Sequence, residues 1–221
     1  MTGRGGGFRV TELEVPSQLG VAPTGAGKTR TAAHVIERYL ARPALPEGAR
    51  YYTTRRVLFV VHRIELAKQA AKQLPQPVRV ISGDLDDGPE DAPVTVASVQ
   101  TLLARDLRPE ATLVVVDEAH NYAAPEWIQV VQSYDRALVL GLTATPERGD
   151  GRPLGDLFGG IVAPTSIAEL TRAGVLVPAT VYGPPRRQRG LAAHPHEALM
   201  ERRDQWTRAV VFGANVASTR R

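Results

Sequence analysis

Cysteine is absent from the 221 residues, which excludes disulfides and thiolate metal sites. No apolar run approaches 18 residues, so no membrane-spanning helix is expected. The opening "MTGRGGGFRV" starts basic but has no apolar h-region behind it. No secretory leader is read there, and the cytoplasm is the default expectation. No internal repeat is visible. Lysine is scarce, with 24 Arg against 3 Lys, a bias that genome composition explains as readily as function does.

What is present suffices for a core. Hydrophobic residues make up 43% of the chain, and the length suits one large domain or one and a half. Charge is unevenly divided. Residues 1–183 carry 19 Lys or Arg against 20 acids, while 184–221 carry eight Arg against three acids. A basic tail attracts nucleic acid through phosphate contacts and counterion release. A solvated linker has the same composition.

From Arg55 to Thr145 an apolar strand and an amphipathic helix alternate. "RRVLFVVHR" (55–63), "VRVIS" (78–82), "VTVAS" (94–98), "ATLVVVD" (111–117) and "ALVLGLTAT" (137–145) read as strands. "IELAKQAAKQL" (64–74), "VQTLLARDL" (99–107) and "PEWIQVVQSY" (125–134) read as helices, the first ended by Pro75 and Pro77. The stretch between 82 and 94 reads as an acidic loop. This alternation predicts an α/β domain with a doubly wound, mostly parallel sheet. After Pro146 a charged, Gly-rich surface loop is expected, then a helix over 166–174. Ser166 would cap it, Glu169 would complete a capping box, and Gly174 would end it. "VLVPATVYG" reads as one further strand, 184–196 as a linker, 197–207 as a short helix and 209–212 as the opening of another strand.

"APTGAGKT" (22–29) is the strongest local signal. Gly25 and Gly27 let backbone N–H groups wrap a polyphosphate. Lys28 places a point charge at the β- and γ-phosphates, and Thr29 offers its hydroxyl to Mg²⁺. The loop comprises Ala22, Pro23, Thr24, Gly25, Ala26, Gly27, Lys28 and Thr29, with Ala22 where the strict pattern has Gly. A Gly-rich turn before a helix can look the same without binding anything.

"VVVDEAH" (114–120) puts two acids at the end of a buried strand, where open α/β sheets bind ligands. Asp117 suits Mg²⁺ through its water shell, and Glu118 suits orienting and deprotonating a water. The spacing of His120 from the acids favours a coupling role. His62 and Arg63 end one strand; Ser98, Gln100 and Thr101 end another. Each could hydrogen-bond phosphate oxygens of a nucleic acid, and each taken singly suits helix capping equally well.

Taken in order, APTGAGKT, VVHRIELAKQ, VASVQTL, DEAH and LTAT resemble motifs I, Ia, Ib, II and III of superfamily 2 helicases, which habitually carry Ala at the position of Ala22. The extension "TATPERGDGRPLGDLFGGIVAPTSIAELTRAGVLVPA" resembles the XPB-like and RadD-like DEAH branch, near type III restriction motor subunits. The likeness covers about residues 20–215. It implies a RecA-like P-loop NTPase lobe over 1–183 that hydrolyses ATP with Mg²⁺ and binds nucleic acid, DNA by the branch. It gives Thr143 and Thr145 the role of linking nucleotide state to bound nucleic acid.

By the same likeness, 184–207 is a basic linker with a short helix and 208–221 the start of a second lobe. The lobe's motifs IV to VI would then be missing, with an arginine finger worth ~10³–10⁵ in rate. A separately encoded second lobe or subunit becomes an expected partner. The family's usual arginine-aromatic-glutamine element ahead of motif I has no counterpart here, so adenine recognition is left open. Pro16 and Gly20 weaken the strand expected before the loop. Two other readings stay open: a nucleotide- and DNA-binding module without useful turnover, and a nonfunctional fragment.

Overall fold

The computed structural model describes residues 17–43, 54–147, 153–154 and 158–178. The linker, short helix and second-lobe strand expected over 184–221 lie outside the described residues. Eight strands form one sheet: β1 (Ser17–Val21), β2 (Val57–Val61), β3 (Val78–Ser82), β4 (Leu85–Asp87), β5 (Val94–Ser98), β6 (Leu113–Val116), β7 (Leu138–Thr143) and β8 (Gly160–Val162). Their spatial order is β4, β3, β5, β2, β6, β7, β1, β8. All pairings are parallel except β3 with β4.

The helices are α1 (Lys28–Leu40), α2 (Ile64–Ala71), α3 (Val99–Ala104), α4 (Pro125–Gln132) and α5 (Ile167–Arg172). The period of two along β2 sorts them to the two faces of the sheet. Val57, Phe59 and Val61 belong to one core layer with Ala32, Val35, Ile36 and Tyr39 of α1 and Ala67 and Ala70 of α2. Leu58 and Val60 belong to the other, with Val99 and Leu102 of α3 and Trp127, Val130 and Val131 of α4. The doubly wound sheet is therefore as the alternation predicts. No described helix is long and apolar enough to cross a membrane.

The expected elements shorten at their ends, where the polar residues of each stretch leave the sheet or frays begin. Three expectations are corrected. The acidic loop after β3 holds the strand β4, fixed by Arg79, whose Nε and Nη2 donate to Asp86 at 2.8 and 2.9 Å. Gly20 does not weaken β1, which pairs along its length with β7 and along three residues with β8; Leu19 is wholly buried there, and packing between two neighbours outweighs local propensity. The stretch after Pro146 is not all surface, since Leu154 and Phe158 are buried. Gly141 makes room for Phe158: a Cβ there would lie 2.6 Å from Phe158 Cζ. Of the strand expected over 175–183, residues 175–178 are not in a strand and the rest lies outside the described residues; the strand that extends the sheet is Gly160–Val162, three residues too few to show a pattern.

The capping box of α5 is present as predicted. Ser166 Oγ accepts from the Glu169 amide at 3.2 Å, and the Ser166 amide donates to Glu169 Oε2 at 2.8 Å. Gly174 follows with φ +72°, the left-handed stop that glycine adopts without penalty.

Candidate functional site

Parallel strands leave every sheet end of one polarity on one rim, and five of those ends carry the residues that the motifs single out. Along the rim, β5 ends at Ser98, β2 runs into His62, β6 into Asp117, β7 ends at Thr143 and β1 runs into the phosphate loop. Neighbouring strands lie ~4.8 Å apart, so this row spans roughly 20 Å.

At one end, the Ala22 amide donates to the Thr143 carbonyl at 2.9 Å, tying the loop's start to β7. The Ala26 amide donates to Pro23 O at 3.0 Å and closes the turn. Gly25 and Gly27 both have φ +82°, and Gly27 is the N-cap of α1. Only glycine takes that conformation without strain, so the two glycines are needed by the backbone itself. The first amides of the 13-residue α1 have no acceptor within the helix, and its first turn carries no acid. Lys28 and Thr29 are half-buried there, while Thr24 stands exposed at the loop tip. A Cβ on Gly25 would lie 3.0 Å from Leu176 Cδ2, so the segment after α5 packs on the loop.

Asp117 and Glu118 follow β6, both half-buried. Burial, and then the neighbouring Glu118 carboxylate, push the Asp117 carboxyl up from its ordinary range; the Glu118 amide, Lys28 and His120 pull the other way. The Glu118 amide donates to Asp117 Oδ1 at 3.0 Å. Glu118 itself sits at φ 51°, ψ 53°, left-handed backbone that a non-glycine residue holds only where its surroundings impose it. Thr29 and Asp117 would offer a cation one hydroxyl and one carboxylate. Among the described residues no three His, Asp or Glu side chains converge on a metal position. Such a sparse set fits Mg²⁺, which keeps its waters and takes its remaining oxygens from substrate phosphates.

His120 joins these acids to β7. Its Nδ1 lies 3.3 Å from Glu118 Oε2 and 3.5 Å from Thr143 Oγ1. Thr143, wholly buried, donates its hydroxyl to Thr145 O at 2.8 Å and accepts from the Thr145 amide at 3.2 Å. The Nδ1-protonated tautomer of His120 satisfies both of its acceptors and leaves the Thr143 hydrogen for Thr145.

The other end of the row is a groove of about 550 Å³ lined by His62, Arg63, Glu65, Asp84, Gln100 and Arg105 among others. Arg63 and Gln100 are exposed. Ser98 and Thr101 line it too but are buried and engaged with each other. Their hydroxyls lie 2.7 Å apart, Ser98 Oγ accepts from the Thr101 amide at 3.3 Å, and Thr101 Oγ1 accepts from the Gly83 amide at 2.7 Å. They cap α3 and hold the Gly83 turn against it. Gln100 Nε2 lies 3.4 Å from His62 Nδ1. With the amide donating, the imidazole proton sits on Nε2. Arg105 belongs to no sequence motif, although it stands four residues after Thr101 and hence on the same helical face.

The chain's residues 17–148 match the family model described as type III restriction enzyme, res subunit. The chain belongs to that family. It is a first RecA-like lobe of the superfamily 2 helicase kind. Over 168 residues it is 32% identical to IRC3 of Saccharomyces cerevisiae, a protein whose name provisionally makes it an ATP-dependent helicase; the match covers 69% of this chain and 24% of that one. It is 29% identical over 157 residues to the DNA 3'-5' translocase XPB2 of Sulfurisphaera tokodaii, covering 68% of this chain and 32% of that one. The chain thus spans between a quarter and a third of the length of these relatives. The crystal structure of the Pyrococcus furiosus Hef helicase domain superposes with a TM-score of 0.51 at 26% identity, over 68% of this chain and 35% of that one. Membership of this family implies use of ATP, generally with a divalent metal.

Proposed function

We propose that the chain is the ATP-hydrolysing lobe of a DEAH-type superfamily 2 motor acting on nucleic acid, and that the nucleic acid is DNA. The observation that carries the reading is the bonded row from Glu118 through His120 to Thr143 and Thr145, beside a loop shaped for phosphates. ATP binds with its β- and γ-phosphates against the loop amides and Lys28. The Thr29 hydroxyl and Asp117 would hold Mg²⁺, which would supply charge neutralisation on the triphosphate. Glu118 accepts the proton of a water that attacks the γ-phosphorus in line; the bond to the bridging oxygen breaks, and ADP and phosphate leave. His120 occupies one carboxylate oxygen of Glu118, which leaves the other for that water. Thr143 and Thr145 report the state of the site along β7.

Nucleic acid lies along the groove, its phosphates met by Arg63 and by His62 and Gln100. Ser98 and Thr101 support that surface from beneath. DNA is the choice because the Sulfurisphaera tokodaii relative is named a DNA translocase. Full motor action would need a second RecA-like lobe closing over the rim, from further chain or from a separate subunit. The test is ATP hydrolysis by the purified chain, with and without single-stranded DNA, beside Lys28→Ala. DNA-stimulated turnover lost in Lys28→Ala is expected. ATP binding with no turnover above that variant would overturn autonomous hydrolysis and favour a binding module.

A further inference from the structure

Trp127 is the largest fully buried side chain of the described residues, yet one side of its ring faces a polar neighbour. His62 stacks on it with ring centroids 6.4 Å apart and planes at 21°. A core tryptophan does not need an imidazole, and a histidine at the mouth of a groove does not need a buried indole. The contact joins the ends of two neighbouring strands, β2 and β6, through side chains as well as through the sheet.

The backbone between Glu118 and Trp127 is as closely tied. The Asn121 amide donates to the Glu118 carbonyl at 3.0 Å, the Ala124 amide to the Asn121 carbonyl at 2.9 Å, and the Trp127 amide to the Ala124 carbonyl at 3.1 Å. The Asn121 side chain adds a second donor to Glu118 O at 3.2 Å. Three successive bonds at a spacing of three residues form a strut through the 3₁₀ turn (Ala119–Ala123) into the first turn of α4. At its far end stands Glu118 in left-handed backbone, where a small rotation re-aims the carboxylate.

We propose that Trp127 is a positioning residue that transmits occupancy of the groove to Glu118. A nucleic-acid phosphate accepting from His62 shifts the imidazole on the indole, the first turn of α4 follows, and the strut turns Glu118 toward or away from its working pose. This rests on the reading of the groove as the nucleic-acid site. The residue touches neither ligand, so its effect belongs in the coupling between them, and coupling is reciprocal.

The test measures the Kd of a fluorescent oligo-dT for the full chain with and without a non-hydrolysable ATP analogue and Mg²⁺. The ratio of the two constants should depart from one by about fivefold or more in the native chain. In Trp127→Leu it should fall to near one, with each ligand's own affinity changed less than about twofold, and Trp127→Phe should restore part of it. A purely structural Trp127 would lower Tm and leave the ratio intact in the folded fraction, which overturns the proposal. If Trp127→Leu does not fold, Trp206→Phe leaves Trp127 as the sole tryptophan, since the chain has two. Oligo-dT binding should then change its emission intensity, and saturation without any change sinks the idea. A native ratio of one sinks it as well. A native ratio far from one in a chain that never turns ATP over removes the autonomous enzyme and leaves this coupling standing.

Discussion

The two halves of the rim hold their polar groups in opposite ways. From β6 to β1, charges are half-buried and close together, so that Asp117 is pushed up by burial and by Glu118, and Glu118 is held at positive φ. From β5 to β2, the buried polar groups are hydroxyls already closed on one another, and the cations Arg63 and Arg105 line an open groove. The first half holds unfavourable electrostatics that a bound metal cation would relieve. The second is a relaxed, capped helix edge whose outer charges can track a polyanion. A reacting phosphate must be met at fixed points, whereas a strand of phosphates need only be followed.

The contrast breaks most visibly at Glu118. Glu118→Gln should lower kcat by about 10²–10⁴-fold while ATP affinity changes little, as steady-state rates and nucleotide titration would show. An equal loss from Ser98→Ala would mean that the groove half is catalytic too. Arg63→Ala should weaken oligo-dT binding uniformly across sequences and reduce the slope of log K against log salt by ~0.7, the share of one single-strand phosphate. An unchanged slope places the strand elsewhere.

Gly141→Ala tests the seam beneath the ATP half. Its Cβ would meet Phe158 at 2.6 Å and Leu19 at 3.0 Å, so urea unfolding should show a loss of about 1–3 kcal/mol. Ser98→Ala removes the cap of α3 and should cost ~1 kcal/mol, with basal ATP turnover preserved.

The effect of Asp117 on stability has the opposite sign. Asp117 has its folded pKa above the unfolded one, so between the two the folded chain holds a proton that the unfolded chain has released. Stability therefore falls as pH rises through that window, and the full penalty remains above it. Asp117→Asn should raise the Tm of the ligand-free chain at neutral pH, while abolishing turnover. The acid limb of kcat/KM should likewise stand above the ordinary carboxylate range and move down as Mg²⁺ is raised. A fall in Tm would mean that Asp117 is stabilised by its neighbours rather than strained.

The sheet and the positive-φ glycines of the loop were legible because their signals are local. A strand buried on both faces must be apolar at every position, as "VLFVV" is, and a loop that wraps phosphates needs glycine where φ is positive, as at Gly25 and Gly27. Glu118 and His120 were legible for their spacing at a strand end. The strands β4 and β8 were not, because three residues carry no periodicity and their pairing is decided by neighbours that local pattern does not reveal. The same holds for Phe158 filling the space above Gly141, and for Trp127 meeting His62 from a distant part of the chain. Sequence alone determined which strand ends carry the motif residues, since backbone conformation and desolvation constrain residue type one position at a time. Only the tertiary structure decided their order along the rim and what stands behind each, because parallel crossovers bring together residues whose identities say nothing of one another.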